Sequence, residues 1–210
     1  LADGSLDTDA VTVAQLKAAR THFYSVNSAD TNAGNYNNDG ALGRDSLAAG
    51  VGASTTTTSV SSVAIGTGAH SEGVNAIAIG KTSNAVGSES ITIGRDASTA
   101  HTSPDNNSQS IAIGAATTAS GDQSTALGNN TIASGNSSVA IGGDDINKLA
   151  NDPAIAARYT LLTSGGTLTS GSYPKTEASG GGSVALGVQA QATGNFSTAI
   201  GMTSGASGDG

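Results

Sequence analysis

The stretch Ser62-Val63-Ala64-Ile65-Gly66 decides the fold, because it returns. It reappears as Ala76-Ile77-Ala78-Ile79-Gly80 and Ser90-Ile91-Thr92-Ile93-Gly94, then at 110–114, 124–128, 138–142, 183–187 and 197–201. A weaker copy at 48–52 precedes them. Most of the closing glycines stand 14 residues apart. The step from 94 to 114 carries six extra residues and the step from 142 to 187 carries 31, which reads as two loops inserted into an unbroken stack. A fixed period of this kind marks a repeat architecture. A second glycine follows the first by seven residues, so each period has two halves. The expected coil corners are Gly66, Gly73, Gly80, Gly87, Gly94, Gly114, Gly121, Gly128, Gly135, Gly142, Gly187, Gly194 and Gly201, where glycine supplies a positive φ and lets neighbouring backbone approach.

The columns of the repeat alternate with period two, which suits a strand and not a helix. Large residues recur one and three positions before the main glycine: Val63, Ile65, Ile77, Ile79, Ile91, Ile93, Ile111, Ile113, Leu127, Val139, Ile141, Val184, Leu186 and Ile200. Between them stands a small residue, as in Ala64, Ala78, Ala112 and Ala140. In the second half the positions three and five after the glycine are also small, for example Ala69 and Ser71. The expectation is an all-β solenoid of flattened 14-residue coils. Its core would be the large residues packed on the small residues of the second half, and the alanine column would be left for contact with another copy. Each coil then buries about two large side chains, worth roughly 1.5–3 kcal/mol apiece, against an ordering cost on the order of 20 kcal/mol for 14 residues. An isolated roll is therefore marginal, and self-association in a closed cyclic assembly is expected.

Composition agrees with an unusual scaffold. Leu, Ile, Val and Phe make up only 36 of 210 residues, below the one-fifth at which disorder becomes the default. Yet charged residues are 11% and the net charge is −8, so self-repulsion is weak. Eight Lys and Arg residues provide no basic stripe for nucleic acid. Cysteine is absent, which excludes thiolate metal sites and disulfides and suits passage through an oxidising compartment. No apolar run is long enough to span a bilayer, and the sequence reads as a fragment whose export and anchoring segments lie elsewhere.

The repeated Ser-Val-Ala-Ile-Gly, with a second half closing in Ala-Ser-Gly or Ala-Thr-Gly, resembles the head of the YadA-like trimeric autotransporter adhesins over most of residues 41–210. That resemblance implies a left-handed parallel β-roll with three chains about a common axis. It also implies a bacterial cell-surface location, with anchoring in the outer membrane through a C-terminal segment. Residues 1–28 resemble a neck-like connector with an opening strand. Residues 29–142 and 183–210 would be head repeats, and 143–182 resembles the family's head insertion motif. The residues agree locally. Thr12 and Gln15 form a capping box and Val11 and Leu16 a hydrophobic staple for a helix over about 13–20, followed by a strand at 21–28. Asp144 or Asp145 can cap a first helical turn, and Asp152-Pro153 a second. The Gly, Ser and Thr tract at 163–172 with Tyr173-Pro174 reads as an extended loop or hairpin. Three places depart from the pattern: the tract Thr55–Thr58 without a corner glycine, the segment 101–107, and Gly43, which is out of register with Gly52.

Nothing in the sequence gathers catalytic chemistry. His22, His70 and His101 are scattered and read as solvated. Asp144 and Asp145 read as caps rather than cation ligands, and the Gly-Gly-x-Gly-x-Asp pattern of calcium-binding rolls does not occur. The phosphate-loop pattern Gly-x-x-x-x-Gly-Lys-Ser/Thr does not occur, because the one Gly-Lys-Thr, Gly80-Lys81-Thr82, has Asn75 where the first glycine would stand. The reading is a non-enzymatic protein without cofactor or metal: an adhesin head attaching to host cells or extracellular matrix by multivalent contact. The alternative is a structural spacer that projects another binding domain. An ice-binding solenoid would need a stacked threonine array, and here threonine is scattered. Partner specificity would sit in the insertions, either as ligand contact or as bracing of neighbouring chains, with Tyr159, Tyr173 and Phe196 as candidate anchors.

Overall fold

A computed structural model describes residues 10–19, 25–99 and 109–210. The chain divides into two compact units, Leu1–Thr31 and Asn32–Gly210. In the first, helix α1 (Val13–Ala18) begins as its sequence demands. The Thr12 side chain accepts from the Gln15 backbone N–H, and the Gln15 side chain accepts from the Thr12 N–H. Val11 and Leu16 remain largely exposed. Residues 25–28 form no strand, and Thr21–Tyr24 lie outside the described residues.

The second unit is a parallel β-solenoid. Among the described residues it has two nine-stranded sheets, and each coil contributes one strand to each. The first sheet runs from Leu47–Ala49 through Val63–Ile65, Ile77–Ile79, Ile91–Ile93, Ile111–Ile113, Thr125–Gly128, Val139–Gly142 and Val184–Leu186 to Thr198–Ile200. The second pairs the short return strands, from Ser54–Thr55 to Gly205–Ala206. Pairing is parallel throughout, with Ile77 opposite Ile91 and Ala126 opposite Ala140, so the 14-residue period becomes the rung spacing of a continuous backbone ladder.

The inside of the coil is not what the column pattern suggests. Val63, Ile65, Ile77, Ile79, Ile91, Ile93, Ile111, Ile113, Leu127, Val139, Ile141, Val184, Leu186 and Ile200 all point outward and are half-buried or exposed. The alanine column (Ala64, Ala78, Ala112, Ala126, Ala140, Ala185) has no solvent exposure and faces the opposite sheet. It meets the small residues of the second half: Ala69 and Ser71, Ala85, Ala119, Ala133, Ala178, Ala190 and Ala192. The reason is spatial. The interior holds alanine, serine and threonine, and threonine is the largest fully buried side chain there, so no leucine or isoleucine stands between the sheets. Large residues can only turn outward, and the alternation that sets the two faces was read with its faces exchanged. Inside, hydroxyls serve the corners: Ser110 Oγ and Ser124 Oγ donate to the Gly121 carbonyl, and Thr176 Oγ1 donates to the Gly187 carbonyl.

The two glycine columns are glycine for different reasons. Gly66 has φ 127°, and a Cβ there would also stand 2.7 Å from the Gly80 carbonyl oxygen. Gly73 has no left-handed φ, and it is excluded from bearing a side chain only because a Cβ would fall inside contact distance of the Gly87 carbonyl in the next coil. Each coil also takes left-handed backbone at two open positions that tolerate other residues, exemplified by Asn75 and Thr82. The sequence showed neither.

Two boundaries move. Leu47–Ala49 pairs with Val63–Ile65, so the first main glycine is Gly50, not Gly52, and the coil has two extra residues at the turn after Thr55. With that correction Gly43 falls into the second glycine column, where a Cβ would strike the Ser59 carbonyl. The long insertion is 145–175 rather than 143–182. Asp144 stacks on Asn130, and Thr176–Ala178 is already a strand of the second sheet, paired with Thr131–Ala133. The segment 101–107 lies outside the described residues.

Candidate interaction surface

The outward sides of the two sheets differ in chemistry. The first carries two ladders of Val, Ile and Leu, broken by Ala49, Thr125 and Thr198; Ile113 is 37% exposed and Ile200 66%. The second carries polar residues, including Ser54, His70, Asn84 and Glu177, with Ile132 among them. A contiguous apolar face beside a polar one marks an interaction surface rather than scattered exposure.

The insertion builds a separate feature. Asp145 Oδ1 accepts from the Asn147 N–H at the start of helix α2 (Asn147–Ala150). Helix α3 (Pro153–Leu162) is capped by Asp152 Oδ1, which accepts from Ala154 and Ile155, with Pro153 in the first helical turn. Tyr159 does not stand free: its hydroxyl meets Thr203 Oγ1 and ties α3 to the roll. Residues 163–175 form neither strand nor hairpin. Tyr173, half-exposed, accepts at its hydroxyl from Asn147 Nδ2 at 2.7 Å. Phe196 is exposed at a left-handed corner, its ring against Gly182.

Tyr173, Asp144 and Asp145 line a cavity of about 470 Å3 together with Arg95, Asn129, Asn130, Ala115 and Ala116. It adjoins a second of about 380 Å3 bounded by Gly128, Gly142, Gly143 and Val188, and both share Asn129, Asp144 and Asp145. Sequence reasoning set Asp144 and Asp145 aside as caps and missed Arg95 and Asn129. Column arithmetic carries the signal, since Arg95, Ala115 and Asn129 each follow a main glycine directly.

Of the histidines, His22 and His101 lie outside the described residues, and His70 holds Ser54 Oγ at 2.8 Å on the second sheet. Among the described residues no cluster of metal-ligating side chains occurs and no helix is long and apolar enough to cross a membrane. The Thr82 hydroxyl, donating to Asp96, holds that carboxyl below its ordinary range, with Arg95 and Lys81 adding attraction.

Stacked 14-residue coils, glycine corners, an alanine interior and an apolar outer ladder define a parallel β-roll repeat. The YadA head domain repeat, taken as two copies, matches residues 58–83, 71–97, 106–131, 119–144 and 178–204, just over half of the chain. The chain belongs to the YadA head family, whose proteins are trimeric autotransporter adhesins. No curated protein matches the chain.

Proposed function

We propose that this chain is a non-enzymatic adhesin head that holds a bacterium to host cells or extracellular matrix, displayed from the outer membrane. In this reading three copies pack through the Val/Ile/Leu face of the first sheet into a trimer of left-handed rolls. The observation that carries it is the outward apolar ladder: these side chains would be spent on solvent in an isolated chain, and burying each remaining exposed part adds about 0.5–1 kcal/mol. Trimeric display multiplies weak contacts, and linked sites raise avidity by roughly 10²–10⁴ without any new contact. Helix α3, with Leu161 and Leu162 exposed, braces neighbouring chains at the corner of the roll.

The test is solid-phase binding of the purified chain to collagen, fibronectin, laminin and cultured epithelial cells, run beside sedimentation velocity. The expected result is a trimer that binds at least one surface saturably. A monomer at micromolar concentration refutes the assembly. A trimer that binds none of these surfaces points instead to a spacer.

A further inference from the structure

The paired cavities beside the insertion remain unused by this reading. Their hydrogen-bonding groups are already oriented. Tyr173 has its hydroxyl fixed by Asn147, which leaves its proton to donate. Asn129 Oδ1 accepts from the Ala115 N–H, which leaves its amide hydrogens to donate. Asp144 Oδ2 accepts from Asn130 and Asp145 Oδ1 from Asn147, which leaves one oxygen of each to accept. Donors and acceptors are therefore both on offer in a lining that also includes Ala115, Ala116 and the half-exposed Tyr173 ring. Both volumes lie within the roughly 300–1,000 Å3 of small-ligand sites.

We propose that this groove binds a neutral saccharide. A polyol presents hydroxyls that donate and accept at once, and its C–H faces pack on an aromatic ring. An anion would meet the two carboxylates. A cation would satisfy the acceptors only, leave the Asn129 amide and Tyr173 hydroxyl unmatched, and share the lining with Arg95, whose guanidinium is paired with Asp96. The column of Ala115 holds Lys81 and Arg95 in the preceding coils and Met202 near the other end. A larger side chain is thus tolerated there by the coil, and alanine is what leaves the space open. This ligand class rests on the attachment reading for its biological sense, while glycoside binding itself is read without a host surface.

The experiment is saturation-transfer NMR on the intact 210-residue chain with the methyl glycosides of glucose, galactose, mannose and N-acetylglucosamine. At least one is expected to bind with Kd of about 1 mM, the range of a single sugar ring. Ala115→Met should weaken that binding at least tenfold with the melting temperature unchanged, and Tyr173→Ala, on an exposed loop, should do the same. Glu177→Gln on the second sheet should bind as the parent does. No saturation transfer from any glycoside at 20-fold that concentration, parent-like binding by Ala115→Met, or preferential binding of tetralysine overturns the proposal. Glycoside binding lost in Ala115→Met while matrix attachment persists separates this site from the attachment reading. Attachment without glycoside binding removes this proposal alone.

Discussion

Two neighbouring substitutions, Ala112→Asp and Ile113→Asp, decide which face of the strand is the core. Ala112 has no exposure and packs in the cluster with Ala119 and Ala126 between the sheets. A carboxylate placed there would be buried among alanines with no counter-charge. An uncompensated buried charge costs at least ~3 kcal/mol, and at about 2–4 °C per kcal/mol for a chain of this size the melt should fall by about 6–12 °C or more. Burial raises the pKa of the introduced carboxyl above its unfolded value. The penalty should therefore be smallest below about pH 4, where both states are protonated, and grow as pH rises. Ile113 is 37% exposed, so the isolated chain loses only the buried part of its side chain, about 1–2 kcal/mol. Its larger effect should be on assembly, where one carboxylate per chain would enter an apolar interface. Circular-dichroism melts in dilute solution and sedimentation velocity separate the two outcomes. If Ala112→Asp melts with the parent, or Ile113→Asp unfolds the dilute chain more than Ala112→Asp does, the placement of the core is wrong.

The glycine columns predict a contrast of the same kind. Gly73→Ala forces a methyl onto the Gly87 carbonyl and should cost about 1–3 kcal/mol or more by chemical denaturation. Gly68→Asn places a residue that tolerates φ near 65° in the column of Thr82 and should stay within about 1 kcal/mol of the parent. At the corner, Thr82→Val removes the hydroxyl donated to Asp96, so the Asp96 pKa should rise toward its ordinary value in a carbon-detected NMR titration. A depressed carboxyl contributes stability above its unfolded pKa and loses it as pH falls through the folded one, so this variant should also flatten the acid limb of the stability profile. An unchanged titration would show that Thr82 is not what holds Asp96 down.

The sequence alone carries the period, the two halves of each coil, the stacking of coils and the lengths of both insertions, because glycine spacing of 14 with period-two alternation admits few other folds. It also fixed the caps of α1 and α3, since Thr12 with Gln15 and Asp152 with Pro153 act within one turn of chain. It did not determine which way the alternation faces. Ile141 and Ala140 alternate identically whichever is inside, and a rule that large apolar residues are buried chose wrongly. That emerges only when the coils pack, since the interior between the two sheets takes alanine, serine and threonine and nothing larger. The distance between coils makes Gly73 obligatory without any left-handed φ. And only the stacking of coils brings Arg95, Asn129 and Tyr173, far apart in sequence, to the rim of one groove.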